Sequence, residues 1–271
     1  ITGTGGEGNN SRGIQLGAAS EVLTTGTASI VLTGTAQGDN TDILTFGAAE
    51  IGGTSANNVS LFADVLNLSN GTTLQGLGTL TIAPSTPGID FAVDFSVAPD
   101  SFAGITLGRL DTNTTTVSGD TNLSASTTIL GGTIDFSGSI ISNGNDVTFQ
   151  AGRNMVLNPG SSINTGAGDI NLSANQGATP AIGSVAGIDL NGASLATTTG
   201  NIELTGRGGV GALNRLAGVL LQNNSQISTQ TGTIDLTGTG GDGSATGTSA
   251  NWGVALLTGS SITSSGTGAT I

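Results

Sequence analysis

The chain has 271 residues, with 18 Asp and Glu against five Arg, no Lys, no His and no Cys, for a formal net charge of −13. That balance excludes a nucleic-acid footprint, which needs a basic surface, and charge attraction to an anionic membrane. It also excludes a disulfide framework and a thiolate metal site.

Glycine supplies 47 residues, and Thr, Ser and Asn are abundant. These residues disfavour long helices and suit short strands joined by tight turns. Aromatics are only 3%, so any core is aliphatic. No stretch is apolar enough to span a bilayer as a helix. No basic segment followed by an apolar run opens the chain, so any signal peptide lies outside it.

In chain order, short apolar-polar-apolar alternations recur, which is the strand period. The first are "GIQL" (13–16), "SEVLTTG" (20–26) and "SIVLTG" (29–34). Residues 84–122 break the pattern with Pro84, Pro87 and Pro99 and the alternation Phe91, Val93, Phe95. They read as an irregular β excursion packed on the side. "DVTFQAG" (146–152) resumes the pattern, and "SSINTGAG" (161–168) follows it. Then "GDINLSA" (168–174), "GNIELTG" (200–206) and "GTIDLTG" (232–238) recur at one fixed interval. Each is followed by a second element, "GIDL" (187–190), "GVLL" (218–221) and "GVAL" (253–256). A third comes next, "ASLATTTG" (193–200), "SQISTQTG" (225–232) and "SSITSSG" (260–266).

Three strands per repeat with one expanded corner describe a coil. One coil buries nothing alone, but copies about 4.8 Å apart pair their backbones as parallel sheets. Ile170, Ile202 and Ile234, and Leu172, Leu204 and Leu236, then form inward columns. The expected fold is all-β: a right-handed parallel β-helix, a solenoid with three short strands per coil and loop excursions at one corner. Its hand is taken by analogy. A β-sandwich would need longer strands and hairpin turns. "ITGTGGEG" (1–8) matches "LTGTGGDG" (236–243) and "GTGATI" (266–271) matches "QTGTI" (230–234). Residues 1–271 therefore read as one β-helix segment of a longer protein, or a unit that continues into a neighbour.

At "DVTFQAGRNMVLNPGSSINTGAGDINLSAN" (146–175) the chain resembles the repeat region of filamentous-haemagglutinin-like adhesins. These are two-partner-secretion exoproteins of Gram-negative bacteria. The resemblance runs over 123–271, is weaker over 1–82 and is missing in 84–122. It implies a right-handed parallel β-helix at the bacterial cell surface or released from it, exported through the outer membrane. Secretion motifs of the N-P-N-G-I kind do not occur in 1–271, and "NPGS" (158–161) is no substitute. The family's repeat stems carry no fixed catalytic residues, so no residue role is carried over.

Several motifs invite chemistry. G-x-G-x-x-G occurs at Gly3, Gly5, Gly8, at Gly206, Gly208, Gly211 and at Gly238, Gly240, Gly243. Three copies, no following helix and no Lys argue for corner turns over a nucleotide site. The loops around Asp39, Asp42 and Asp242 echo the glycine-aspartate repeats of calcium-binding β-rolls, without their tandem period. These three are weak calcium candidates, and no other cofactor is expected. Glu203 and Asp235 fall at equivalent outward positions on adjacent coils, near the spacing a retaining glycosidase uses. Nothing basic supports them, so the pair reads as a solvated face. Thr runs at 112–117 and 196–200 do not form a regular face for ice.

The expanded corners, 5–12, 174–186, 206–217 and 238–252, should align as one ridge carrying Arg12, Arg207, Arg215 and Trp252. Trp252 either joins a recognition surface or covers the sheet beside its own loop. Leu220 and Ala255 should point outward. The expected function is a non-enzymatic, secreted or surface-displayed adhesin-like stem. Its partners would be a cell-surface glycan or protein, or copies of itself in a filament, with neither nucleic acid nor membrane insertion. A carbohydrate-active β-helix enzyme is the remaining alternative.

Overall fold

The computed structural model describes residues 1–7, 10–37, 41–45, 47–69, 71–93, 101–211, 216–243, 251–266 and 270. These residues form short strands and no helix. Every pairing between the strands is parallel. The antiparallel pairs that a hairpin sandwich requires do not occur among the described residues. The expectation of an all-β chain of short parallel strands therefore agrees with the structure.

The pairings sort the strands into three stacks. The first contains Thr2–Thr4, Ile30–Thr35, Val59–Phe62, Thr79–Ala83 and Gly104–Gly108. It continues through the opening halves of Ser126–Ile141 and Val147–Leu157 to Ile170–Ala174, Ile202–Arg207 and Ile234–Thr239. The second stack has one run from Ile14–Leu16 to Leu66–Asn67 and another from Phe91–Val93 to Val254–Leu256. The third has a run from Glu21–Leu23 to Thr73–Leu74 and another from the end of Thr114–Asn122 to Ser261–Ser264. One strand of each stack, in chain order, makes a tier. Among the described residues the first stack passes through ten tiers.

The alternation of each strand explains why the tiers stay in register. Side chains alternate between faces, and parallel partners lie about 4.8 Å apart. An inward position must therefore be apolar tier after tier. Leu32, Leu61, Ile82, Leu107, Ile129, Phe149, Leu172, Leu204 and Leu236 occupy one such column. A slip of one position would turn the whole column to solvent. Phe136 and Phe149, both fully buried, meet edge to face with centroids 5.5 Å apart at 81°. Thr127 stands in an inward column, and its hydroxyl donates to the Ala125 carbonyl at 3.0 Å, so the buried polar group is satisfied.

The steps between tiers are unequal. Ile30, Val59, Leu80, Ile105, Thr127, Val147, Ile170, Ile202 and Ile234 hold the same place in successive tiers. Only Ile170, Ile202 and Ile234 are evenly spaced along the chain, so the regular repeat belongs to the last three tiers. The extra length there sits at the corner between the first and second stacks. Ser126–Ile141 and Val147–Leu157 pass this corner without a break, whereas 175–187, 208–218 and 240–253 intervene in the last three tiers.

Residues 84–122 correct the expected side excursion. Gly104–Gly108 pairs with Thr79–Ala83 on one side and with Ser126–Ile141 on the other. Phe91–Val93 pairs with Thr114–Asn122, which pairs onward with Ser126–Ile141. Pro84 and Pro87 fit because they lie in the link between strands, where no ladder N–H is required. Phe95 and Pro99 lie outside the described residues.

A core truncation tests this packing. Phe149→Ala should lower stability by about 3–5 kcal/mol, because the column cannot close over the lost ring. Urea unfolding monitored by circular dichroism reads that shift in midpoint.

Candidate functional site

The long corner loops do stack on one another in the last three tiers. Ile182 bridges to Val210, and Val210–Gly211 pairs with Asp242–Gly243. The glycine motif forms the base of these loops. A Cβ on Gly206 would strike the Gly218 carbonyl, and one on Gly238 the Gly253 carbonyl. A Cβ on Gly3 would strike the Gly13 carbonyl in the same way. The chain leaves and re-enters the corner through a neck too narrow for side chains, so the G-x-G spacing is a backbone requirement.

Polar side chains hold the ridge. Asn175, buried and at φ +59°, donates to the carbonyls of Arg207 (3.0 Å) and Gly208 (3.1 Å) and accepts from the Ala181 N–H (2.8 Å). It closes its own loop and ties it to the next tier. Arg207 donates from Nη2 to the Gly177 carbonyl at 2.5 Å, clamping the same loop from above. Its buried Nε has no partner among the described residues. Trp252 is half-buried and packs against Ala217, Leu220 and Ala255. Leu220 and Ala255, expected to face water, are buried beneath that cover. Trp252 is therefore largely a lid on the outer face of the second stack.

The expected ridge residues do not form one site. Arg12 lies in the first tier and Arg207 in the ninth, about 40 Å apart at one strand spacing per tier. Among the described residues Arg12 donates to the neighbouring Ser11 carbonyl, at 3.2 Å. Arg215 lies outside the described residues.

Asp42 is no open metal ligand. It is buried, and its oxygens accept N–H groups from Ala36 (2.5 Å), Asp64 (2.6 Å) and Val65 (3.1 Å). Asp64 continues the pattern one tier on, accepting the Ser85 hydroxyl and the Thr86 N–H, each at 2.8 Å. At the corner between the third and first stacks Asp146, Asp169 and Asn201 do the same. They accept the N–H groups of Asp169 (2.9 Å), Asn201 (2.7 Å) and Thr233 (2.9 Å). These four carboxylates thus serve corner N–H groups that strand pairing leaves over. Asp242 is exposed in the ridge, and Asp39 lies outside the described residues. Among the described residues no three His, Cys, Asp or Glu side chains gather to hold a metal ion.

Glu203 and Asp235 are direct partners across two strands, and both are exposed. Their column continues to Asn171 and then to Thr148, Thr128, Thr106 and Thr81. This threonine column is hidden in the sequence, because its members are unevenly spaced along the chain. Arg153 also escaped notice. It sits at a bulge, where Gly152 and Arg153 together oppose Gly132 between the register pairs Gly131–Ala151 and Thr133–Asn154. Its side chain is exposed beside Gly183.

Two carboxyls are shifted in opposite senses. Partial burial works against the Asp64 carboxylate, but the Thr86 and Ser85 hydrogen bonds outweigh it, so its pKa falls below 3.8. Burial raises the pKa of Asp189 above 3.8, and the Gln222 amide, at 2.9 and 3.1 Å, offsets this only in part. No known family model, curated protein or solved structure matches this chain.

These shifts set pH-dependent stability. Asp64 stabilises the fold above about pH 3.8, and that contribution is lost on acidification through its lower folded pKa. Asp189 acts oppositely: the fold is favoured below 3.8, and the advantage is lost as pH rises through the folded pKa. Asp189→Asn should therefore gain stability over the parent at pH 7 and lose that gain below pH 3.8. Asp64→Asn should be less stable at pH 7 and converge with the parent in acid. Asp42→Ala should cost about 1–3 kcal/mol or more at pH 7, by stranding its N–H donors. Thermal melts from pH 3 to 8 measure all three.

Proposed function

We propose that the chain winds as a right-handed parallel β-helix and serves as a rigid, non-catalytic stem of a secreted or surface-displayed adhesin-like exoprotein. The strong right-handed preference of crossovers between parallel strands of one sheet supports the hand. The observation that carries the functional reading is the stacked loop ridge of the last three tiers, 175–187, 208–218 and 240–253. Loops fixed to a rigid scaffold are where recognition concentrates. Here the second and third loops are narrowed at glycine necks, and the first is clamped by Asn175 and Arg207. The partner class is a cell-surface glycan or protein.

The use of acidic residues as backbone acceptors favours a structural role over a catalytic one. Glu203 and Asp235 stand exposed, with no Lys, His or Tyr anywhere in the chain to assist them.

Electron microscopy and adhesion assays test the proposal together. Negative-stained particles should be single rods with a stack about 45 Å long at ten tiers. Immobilised protein should retain bacterial or host cells, or bind a glycan array, and shortening residues 208–218 should abolish retention while leaving the melting temperature within a few degrees. Fibres with a regular repeat would instead favour copies stacking into a filament. Glycan cleavage abolished by Glu203→Gln would overturn the non-catalytic reading.

A further inference from the structure

We infer that the corner at Arg153 is a binding notch for a carboxylate-bearing saccharide; the inference rests on the adhesive reading above and names a ligand class for it. In the sixth and seventh tiers the corner between the first and second stacks has no loop, because Ser126–Ile141 and Val147–Leu157 run straight through it. In the eighth tier the loop 175–187 rises as a wall. Arg153 stands at the foot of that wall. The extra residue of the bulge puts it there, and bulges commonly re-aim a side chain at functional positions.

Three features point to an anionic ligand. First, Arg153 has no hydrogen-bond or ion-pair partner among the described residues, although the chain holds 18 carboxylates. Arg109, by contrast, forks onto Asp111 at 2.6 and 2.8 Å and also reaches the Pro84 and Ser85 carbonyls. The Asp111 and Asp135 carboxylates, on the tiers below Arg153, are occupied by Arg109 and Asn158. More distant charges are screened beyond about 8 Å at physiological salt.

Second, a guanidinium binds a carboxylate through two parallel N–H groups, a geometry that ammonium cannot reproduce. Third, the surroundings suit a sugar ring. The floor is Gly152 and Gly132, which present backbone without side chains. Gly183, at φ +135°, lies beside the guanidinium, and a Cβ there would come within 3.7 Å of Nη2. The residue before it, Ile182, is 85% exposed and offers an apolar face for ring C–H groups. A uronate residue joins both chemistries in one unit.

The test titrates the whole chain with hexagalacturonate, its full methyl ester and hexaglutamate by calorimetry in 0.15 M salt, about the physiological level. Hexagalacturonate should bind. Arg153→Gln should weaken it at least tenfold, Arg153→Lys should recover part of the loss, and both variants should melt like the parent. The ester should bind neither parent nor variant. The notch is overturned if Arg153→Gln binds the acid as the parent does, if the ester binds as well as the acid, if hexaglutamate binds equally, or if no binding is seen at about 1 mM, the weak end of specific affinity. Cell retention unaffected by Arg153→Gln would remove the notch and leave the ridge reading standing; loss of retention in the parent itself would remove the ridge reading.

Discussion

Parallel pairing of each tier with the next, at a single spacing, is the constraint from which the other features follow. Among the described residues a strand has no hairpin partner; its partners are the equivalent strands of the neighbouring tiers. Such pairing demands the same class of residue at the same position in tier after tier. It yields columns of Leu and Ile inside and of Thr, Asn and acid outside. It also leaves unpaired backbone N–H groups at the corners, where strands end. Asp42, Asp64, Asp146, Asp169 and Asn201 each accept N–H groups from the following tier, so the corners are cross-linked along the stack. These four of the 18 carboxylates are used this way, at places where Asn201 shows that a neutral acceptor also serves.

The same constraint decides where the chain can vary. Stacks absorb a change of length within a strand only as a local bulge, as at Gly152 and Arg153 and between Asn164 and Gly166. Corners tolerate it, and the tiers differ chiefly at one of them. At Gly3, Gly206 and Gly238 a glycine neck lets the chain leave the corner and return without disturbing the strands beside it. Successive loops then pair with each other through Ile182, Val210 and Asp242. The corner changes from bare to walled between the seventh and eighth tiers, and Arg153 lies at that boundary.

The few cations divide by what holds them. Arg109 is consumed by Asp111 and two carbonyls, and Arg207 clamps a loop. Arg153 alone among these three has no partner for its guanidinium among the described residues, and it lies beside Gly183. Trp252, for all its rarity, closes over Leu220 and Ala255. Rarity of a residue type is thus a poor guide to function here; the number of partners the side chain already has is a better one.

The repeat at 168–174, 200–206 and 232–238 and the alternation around it were enough to specify short parallel strands, inward Ile and Leu columns, and corner loops that align in the last tiers. Those features are local in sequence and periodic, so they are legible without coordinates. The register of the irregular tiers was not. Phe91–Val93, Gly104–Gly108 and Thr114–Asn122 join the stacks despite Pro84 and Pro87 nearby, and Thr81, Thr106, Thr128 and Thr148 fall into one column. Unequal step lengths erase the period while leaving the pairing intact. Nor could the sequence assign the fates of Asp42, Leu220 and Arg153, which depend on groups a whole tier away along the chain or on a single bulged position. Composition and period determined what kind of strands form and which face is apolar. Only the tertiary structure decided which polar side chains are already satisfied, because that depends on what the neighbouring tier places opposite them.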